Sequence, residues 1–314
     1  MQEKTKAAAI SVLSNSVLTT GKVVIGFLSG SVSIISEGIH SGIDLIAAVI
    51  ALFAVRESGK PADDRHTYGH GKIENVSGTI EAMLIFVAAL LIIKEAFGKL
   101  TGGVTVNNLG WGLVIMGFSA AANVLVSANL MRVAKKTDSV ALEADALHLR
   151  TDVLTSIGVF IGLLIIKITG WTIIDPLIAM FVASLIIKAA YDLTKEAFMP
   201  LVDVRIDPQE YKIIFEVLDN YAGQFVEFHK LRTRRAGAER HIDLHLVVPK
   251  YESVYVVHEL CDKIEHEIME KLPGTHILIH AEPCGDEPGK CNVCDESHAV
   301  CHKTLNNEIL ISKR

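Results

Sequence analysis

Apolar residues dominate the N-terminal part of the chain in runs long enough to cross a bilayer. A helix rises about 1.5 Å per residue, so about 20 residues cover the roughly 30 Å hydrocarbon core. The pattern predicts six such spans, at residues 7–28, 32–55, 76–97, 109–133, 140–168 and 171–191. The first is amphipathic, because Asn15, Ser16, Thr19 and Lys22 interrupt it. It is therefore expected to pack in the bundle or line a cavity, not to face lipid all round. The third and sixth are the cleanest. After Met199-Pro200 the periodicity changes. Asp207 and Pro208 open a helix over 208–218, as N-cap and first helical residue. Residues 228–234 and 240–248 alternate as strands around Ala236-Gly237-Ala238; 253–272 reads as a helix stopped by Pro273-Gly274, and 275–281 as a last strand. The fold class predicted is a six-helix transmembrane bundle (residues 1–200) followed by a small α+β domain (201–284) in the order α-β-β-α-β. Residues 285–314 are expected, from their Gly, Asp, Glu, Cys and Asn content, to form a Cys/His-containing tail with little regular structure.

Charge in the connections sets an orientation. Lys4 and Lys6 precede the first span; Arg56, Lys60, Arg65 and Lys72 lie between the second and third; Arg132, Lys135 and Lys136 between the fourth and fifth. The opposite loops are poorer in basic residues, so both termini are expected in the cytoplasm, with the protein in the cytoplasmic (inner) membrane. Composition agrees with a membrane class: the 314 residues are 50% hydrophobic and 21% charged, with mean hydropathy +0.38. A net charge of −6 argues against nucleic acid as a partner. Thirteen His against two Trp lean toward metal chemistry.

The candidate chemistry begins inside the second span. His40 and Asp44 are four residues apart and share a helix face; His148 and Asp152 repeat that spacing in the fifth span. One intramembrane His–Asp pair could be a helix-packing hydrogen bond. Two at the same spacing point to function, because ionisable groups at membrane depth are expensive. Together they offer two imidazoles and two carboxylates, a tetrahedral Zn²⁺ ligand set, and Ser36 or Ser41 is placed to hydrogen-bond the His40 ring. A second group, Asp63, His66 and His70, lies in the loop between spans two and three and could converge on one metal; a solvated polar loop is the alternative. In the α+β domain, His229, His245, His258 and His280 lie on separate elements and can meet only after folding, and His241 and His245 share a strand face with Asp243. His266 and His276 read as surface residues. The tail carries Cys284, Cys291-x-x-Cys294, His298, Cys301 and His302, which reads either as a zinc knuckle or as an unstructured thiol-rich segment.

Those residues carry a family resemblance. The stretches Ser36-Glu37-Gly38-Ile39-His40-Ser41-Gly42-Ile43-Asp44, Asp63-x-x-His66-x-Tyr68-Gly69-His70-Gly71-Lys72-x-Glu74, Glu143-x-Asp145-Ala146-x-His148-x-x-x-Asp152 and Leu231-Arg232-Thr233-Arg234 resemble the cation diffusion facilitators, divalent-metal/proton antiporters, over residues 5–284. The resemblance implies a transport site at His40, Asp44, His148 and Asp152, and a loop site at Asp63, His66 and His70. It also implies a homodimer with a cytoplasmic metal site at His229, His245, His258 and His280, and an acid at Glu282. Some relatives carry Asp where His40 stands, so their metal range does not transfer, and the Cys/His tail has no match in the family pattern.

The function expected is export of Zn²⁺, or of another divalent cation, in exchange for protons by alternating access, with further Zn²⁺ as regulator. Fe²⁺, Mn²⁺ and Co²⁺ are the alternative cargoes; two imidazoles favour zinc over manganese. A non-transporting membrane metal sensor or scaffold is the rival of a different class. An enzyme is not expected: His258-Glu259 and His266-Glu267 lack the second His of a metalloprotease motif.

Overall fold

The computed structural model describes residues 2–29, 32–102, 110–169 and 174–284, and the chain divides into two compact units, Met1–Val202 and Asp203–Arg314. Among the described residues the first unit holds six long helices: α1 (Gln2–Ser29), α2 (Val32–Ser58), α3 (Lys72–Gly102), α4 (Gly110–Thr137), α5 (Val140–Thr169) and α6 (Ile174–Phe198), followed by a 3₁₀ turn at Met199–Val202. Among the described residues, three stretches, Gln2–Ile25, Lys72–Gly98 and Pro176–Val202, are long and apolar enough to cross a membrane by length and composition.

This unit is built inside out relative to a water-soluble bundle. Phe27, Leu28, Phe53, Leu91, Phe97, Leu125 and Phe181 stand exposed on its outside. The inside is made of small and polar residues. On α6 the buried positions are Ala183, Ile186, Ala190, Leu193 and Ala197, alternating three and four residues apart; on α2 they include Ser41, Asp44, Ala48, Ala51 and Val55. On α1, Ser11, Asn15, Leu18 and Lys22 form one buried stripe. That stripe explains the amphipathic pattern: the polar side of α1 faces the bundle and its apolar side faces outward. Small residues let helix backbones approach closely where hydrocarbon offers no hydrophobic drive. Gly38 shows how closely: a Cβ there would lie 2.9 Å from Val23 Cγ2 and 3.2 Å from the Val23 backbone nitrogen on α1.

One carboxylate gathers the ends of four segments. Glu74, in the first turn of α3, is 1% exposed. Its Oε1 accepts from Lys4 Nζ of α1 at 3.0 Å and from Ser58 Oγ at the end of α2 at 2.8 Å, and its Oε2 accepts from the hydroxyl of Ser139, which precedes α5.

The second unit contains α7 (Pro208–Asn220), β1 (Glu227–Ala236), β2 (Glu239–Val248), α8 (Val254–Lys271) and β3 (Thr275–Pro283), which is the order predicted. Asp207 caps α7 by accepting from the Gln209 N–H at 2.8 Å, and Ser253 caps α8 by accepting from Val256 N–H at 3.3 Å. Strand order is β1-β2-β3; β1 and β2 are an antiparallel hairpin, and α8 carries the chain across so that β3 runs parallel to β2. One face of the sheet packs on both helices through Ile214, Leu218, Ile242, Leu244, Leu246, Ile264 and Ile268.

The Glu74 contacts generate a test. Glu74→Ala leaves a partly buried ammonium and two hydroxyls without their acceptor and is expected to destabilise the unit by about 3 kcal/mol. Glu74→Gln, which keeps an acceptor oxygen, should lose less. Thermal unfolding in detergent measures both; equal midpoints for wild type and Glu74→Ala would show that the carboxylate does not hold the helices.

Candidate metal centres

The Glu74 anchor sets the heights of the membrane residues. The chain runs along α2 toward this anchor and along α5 away from it. At the helical rise, Asp44 stands about 20 Å from the anchor counted back from Ser58, and Asp152 stands at about the same height counted forward from Ser139. The helices run in opposite senses, so the four-residue spacing carries the histidines opposite ways. His40 lies about one turn farther from the anchor and His148 about one turn nearer.

The side chains follow that arithmetic. His40, Asp44 and Asp152 each offer a ligand atom, and these atoms lie within 4.8 Å of one another. His148 is brought to the same place from below: its Nε2 is 3.1 Å from Asp44 Oδ1, and both residues are 5% exposed. The structure thus gathers all four predicted residues, three as a ligand-competent group and the fourth on the carboxylate of Asp44. His148 Nδ1 and Asp152 Oδ2 are buried polar atoms with no hydrogen-bond partner, so both keep lone-pair or donor capacity unused. Ser41, read as a partner for His40, instead accepts from Lys22 Nζ at 2.7 Å; the side chain of Ser36 lies outside the described residues.

The loop group closes around Asp63. Its Oδ1 accepts the backbone N–H of Arg65 at 2.9 Å and of His66 at 2.7 Å and lies 3.2 Å from His66 Nδ1; its Oδ2 lies 3.3 Å from His70 Nε2. The His66 backbone N–H, more than any other contact, holds the Asp63 carboxyl below the usual carboxylate range. Gly69 makes the return possible: at φ +79° it takes the left-handed turn that sends His70 back onto Asp63. The three ligand atoms again lie within 4.8 Å of one another.

In the second unit the histidines form a rung across the sheet. His229 on β1 pairs in register with His245 on β2, and His245 with His280 on β3. Side chains repeat every second residue on one sheet face, so Glu282, two beyond His280, reaches the same face. Glu282 Oε2 is 3.2 Å from His229 Nε2, Oε1 is 2.7 Å from His245 Nδ1, and His280 Nε2 is 3.7 Å from Oε1. The hydrogen bond from His245, above all, lowers the Glu282 carboxyl. His229, His245 and Glu282 form the compact group; two nitrogens and one oxygen suit zinc and leave one position for water or a further ligand. His258 is not brought into it. It stands on α8 with a 73% exposed side chain, its Nδ1 3.7 Å from Asp262 Oδ1. His241 and Asp243 are also drawn elsewhere: the His241 ring stacks on His276 at 5.2 Å, and Asp243 pairs with Arg232 at 3.2 Å. His276 therefore has a ring partner, whereas His266 is exposed with its Nδ1 2.8 Å from the Asp262 carbonyl.

Two groups escaped the sequence reading. Glu81 sits in the span judged among the cleanest, yet it is 0% exposed and faces Asp145, 1% exposed, across the bundle. An acid this far from either end of a hydrophobic run was the available signal. Lys22 was noticed only as an interruption of α1. Cys284 is a buried cysteine beside Val226 and Val247 just after β3; Cys291, Cys294, His298, Cys301 and His302 lie outside the described residues.

The comparisons with known proteins bear on both units. Residues 8–202 match the cation efflux transmembrane domain, and residues 206–284 match the cation efflux protein cytoplasmic domain. The chain is 36% identical over 259 residues to the transporter sll1263 of Synechocystis sp., covering 82% of this chain and 84% of that one. It is 32% identical over 287 residues to the cation-efflux pump FieF of Yersinia pestis, covering 90% of this chain and 94% of that one. The solved metal-bound C-terminal domain of the CzcD transporter from Thermotoga maritima is 32% identical, with a TM-score of 0.24, the match covering 25% of this chain and 91% of that domain. A transmembrane and a cytoplasmic efflux domain in succession place the chain in the cation efflux family, the cation diffusion facilitators, as an integral-membrane transporter and not an enzyme.

Proposed function

We propose that this protein exports Zn²⁺ from the cytoplasm in exchange for protons. The observation that carries the reading is the meeting of His40, Asp44 and Asp152 within 4.8 Å, with His148 bonded to Asp44, near the middle of two long helices. All six helices α1–α6 cross the inner membrane and both termini are cytoplasmic. Zn²⁺ enters from the cytoplasmic side and binds His40, Asp44, His148 and Asp152. His148 joins by giving up its hydrogen bond to Asp44. Imidazole and carboxylate lone pairs accept either metal or protons, so protons arriving from outside displace the ion and reset the carrier. Opening to one side at a time around a midplane site is alternating access. The protein works as a homodimer through its cytoplasmic domain. Zinc held by His229, His245 and Glu282 regulates it by favouring one domain arrangement over the other.

Metal uptake into proteoliposomes under an imposed pH gradient, across Zn²⁺, Cd²⁺, Fe²⁺, Mn²⁺ and Co²⁺, tests the assignment. Zinc should move fastest and only with the gradient. Asp152→Ala should abolish zinc flux while the dimer persists on size exclusion; normal flux from that variant would sink the transport-site assignment.

Selectivity should follow from His40. An imidazole offers one lone pair in a fixed direction, whereas a carboxylate binds through one oxygen or two and adapts to a larger ion. His40→Asp is therefore expected to admit Cd²⁺ while keeping Zn²⁺. Equal Zn²⁺ and Cd²⁺ fluxes in the wild type would show that another group selects the metal.

The cytoplasmic group should bind metal that is not cargo. His245→Ala is expected to lower the zinc content of the purified chain by about one ion per protomer and to leave part of the flux intact. Elemental analysis beside the flux assay reads both; an unchanged zinc content would remove the site.

A further inference from the structure

Glu81 follows Glu74 by two turns of α3 and is 0% exposed; Asp145 stands at the matching depth on α5, counted from Ser139, and is 1% exposed. Both lie about 10 Å from the anchor, half the distance of the Asp44–Asp152 level. The helices that carry them are packed together there. Ala82 and Ile85 of α3 share a buried cluster with Ala144 of α5 and with Ile186 and Ala190 of α6. On its other flank α5 packs on α1, where Ala7 and Ala8 meet Ala141, Leu142 and Ala146. Inside this enclosure, among the described residues, no lysine or arginine pairs with either acid. Glu81 Oε1 accepts from the neutral Ser77 hydroxyl at 3.4 Å, and its Oε2 has no hydrogen-bond partner. Neither Asp145 oxygen makes a well-formed hydrogen bond, and the polar group set toward it is the neutral hydroxyl of Ser11 on α1. The charge that Glu81 feels most is that of Asp145 itself. His148 and Asp44 are the other charged groups that reach the pair, and they are already bonded to each other at 3.1 Å.

Two carboxylates enclosed in this way need a positive ion beside them, because an uncompensated buried anion is very costly. A divalent ion would ask for more donors. Each candidate metal group of this chain gathers three ligand residues within 4.8 Å, and among the described residues Glu81 and Asp145 belong to no such group. A proton needs one oxygen to hold it and a second to share it. We propose that Glu81 and Asp145 are the proton-carrying pair of the exchange, a site separate from the metal ligands, through which protons reach the cytoplasm. The inference rests on the proton-coupled export proposed above. A proton that has displaced the ion from the transport site passes to a carboxylate of this pair, about one turn of α5 nearer the anchor than His148. It leaves that carboxylate for water when the cytoplasmic side opens. Each transfer moves one proton from one atom to the next, and nothing is oxidised or reduced. The pair does not ligate the metal.

Zinc exchange and proton-driven uptake separate this role from a structural one. An amide has the shape of a protonated carboxyl but no acid proton to give, so Glu81→Gln and Asp145→Asn remove the carrier and keep the packing. In proteoliposomes with zinc on both sides and no pH gradient, both variants should exchange isotopic zinc at the wild-type rate. Under an imposed gradient they should lose the acceleration that the wild type shows, with the zinc content of the purified chain unchanged. Glu81→Asp, which keeps an acid, should retain part of that acceleration. Infrared spectra of the wild type at neutral pH should show the stretch of a protonated carboxyl, weakened in each amide variant. Gradient-driven uptake at the wild-type rate in both amide variants overturns the proposal, and so does a carboxyl stretch that neither variant changes. Loss of zinc exchange in variants that still elute as the wild type on size exclusion also overturns it, because the pair would then lie on the path of the metal. A wild type that moves zinc without responding to the gradient sinks instead the proton-coupled reading on which the inference rests.

Discussion

Glu74 places a buried carboxylate where three other segments must bring it donors: Lys4 from α1, Ser58 from α2 and Ser139 ahead of α5. An unsatisfied anion at that position would be far costlier than any gain from packing alone, so the donors have little freedom to be elsewhere. Their pairing fixes a common origin for four helices. Every height in the bundle then follows from counting residues. Ser11, Glu81 and Asp145 fall at about 10 Å, His148 a turn beyond, Asp44 and Asp152 at about 20 Å, His40 and Lys22 at about 27 Å. The candidate metal-site residues meet because α2 and α5 are measured from one carboxylate in opposite directions.

That common origin works only if the helices can lie close together. In hydrocarbon no water drives them, so contact depends on shape and on polar pairing. The buried alanines of α2 and α6, and Gly38 against Val23, supply the shape. Ser41 supplies a polar junction, taking Lys22 on its hydroxyl and Thr19 on its carbonyl. It follows His40 directly, so the helix contact that packs α1 on α2 also holds the candidate metal-binding face in place. Structure and site are built from the same few residues.

Much of this was legible in the chain. The apolar runs marked the long helices, Asp207-Pro208 and Ser253 marked the starts of α7 and α8, and the α-β-β-α-β order followed from periodicity and turn residues. The paired His-x-x-x-Asp spacing pointed to faces of α2 and α5 that meet in the bundle. Spacing could not say that antiparallel helices would set the carboxylates level and the imidazoles a turn apart; that needs the Glu74 contacts, which join residues distant in sequence. Glu81 was lost inside a run that averages as apolar, although one acid at that depth is itself the signal. His258 was grouped with the strand histidines because it too is a histidine of the same domain. Its helix, however, buries Leu260, Cys261, Ile264 and Ile268 and turns His258 outward. Glu282 was the residue with the least support in the sequence, and it stands between His229 and His245 because strand periodicity puts it on their face.

The three candidate centres share one local design, a carboxylate set against two imidazoles. Asp63 meets His66 and His70, Glu282 meets His229 and His245, and Asp44 meets His148 while clustering with His40. A carboxylate in that position orients the rings and fixes which nitrogen faces inward, which is what a metal site needs before the ion arrives. What differs is the surround. Asp63 and His66 are exposed on a loop, so ions there exchange with water and face little barrier. The cytoplasmic group rests on hydrogen-bonded strands and is half-buried, so its geometry is held by the sheet. Asp44 and His148 are buried among helices, and an ion can reach or leave them only if helices move. Burial, not ligand identity, is what sets one of three similar donor sets apart from the other two.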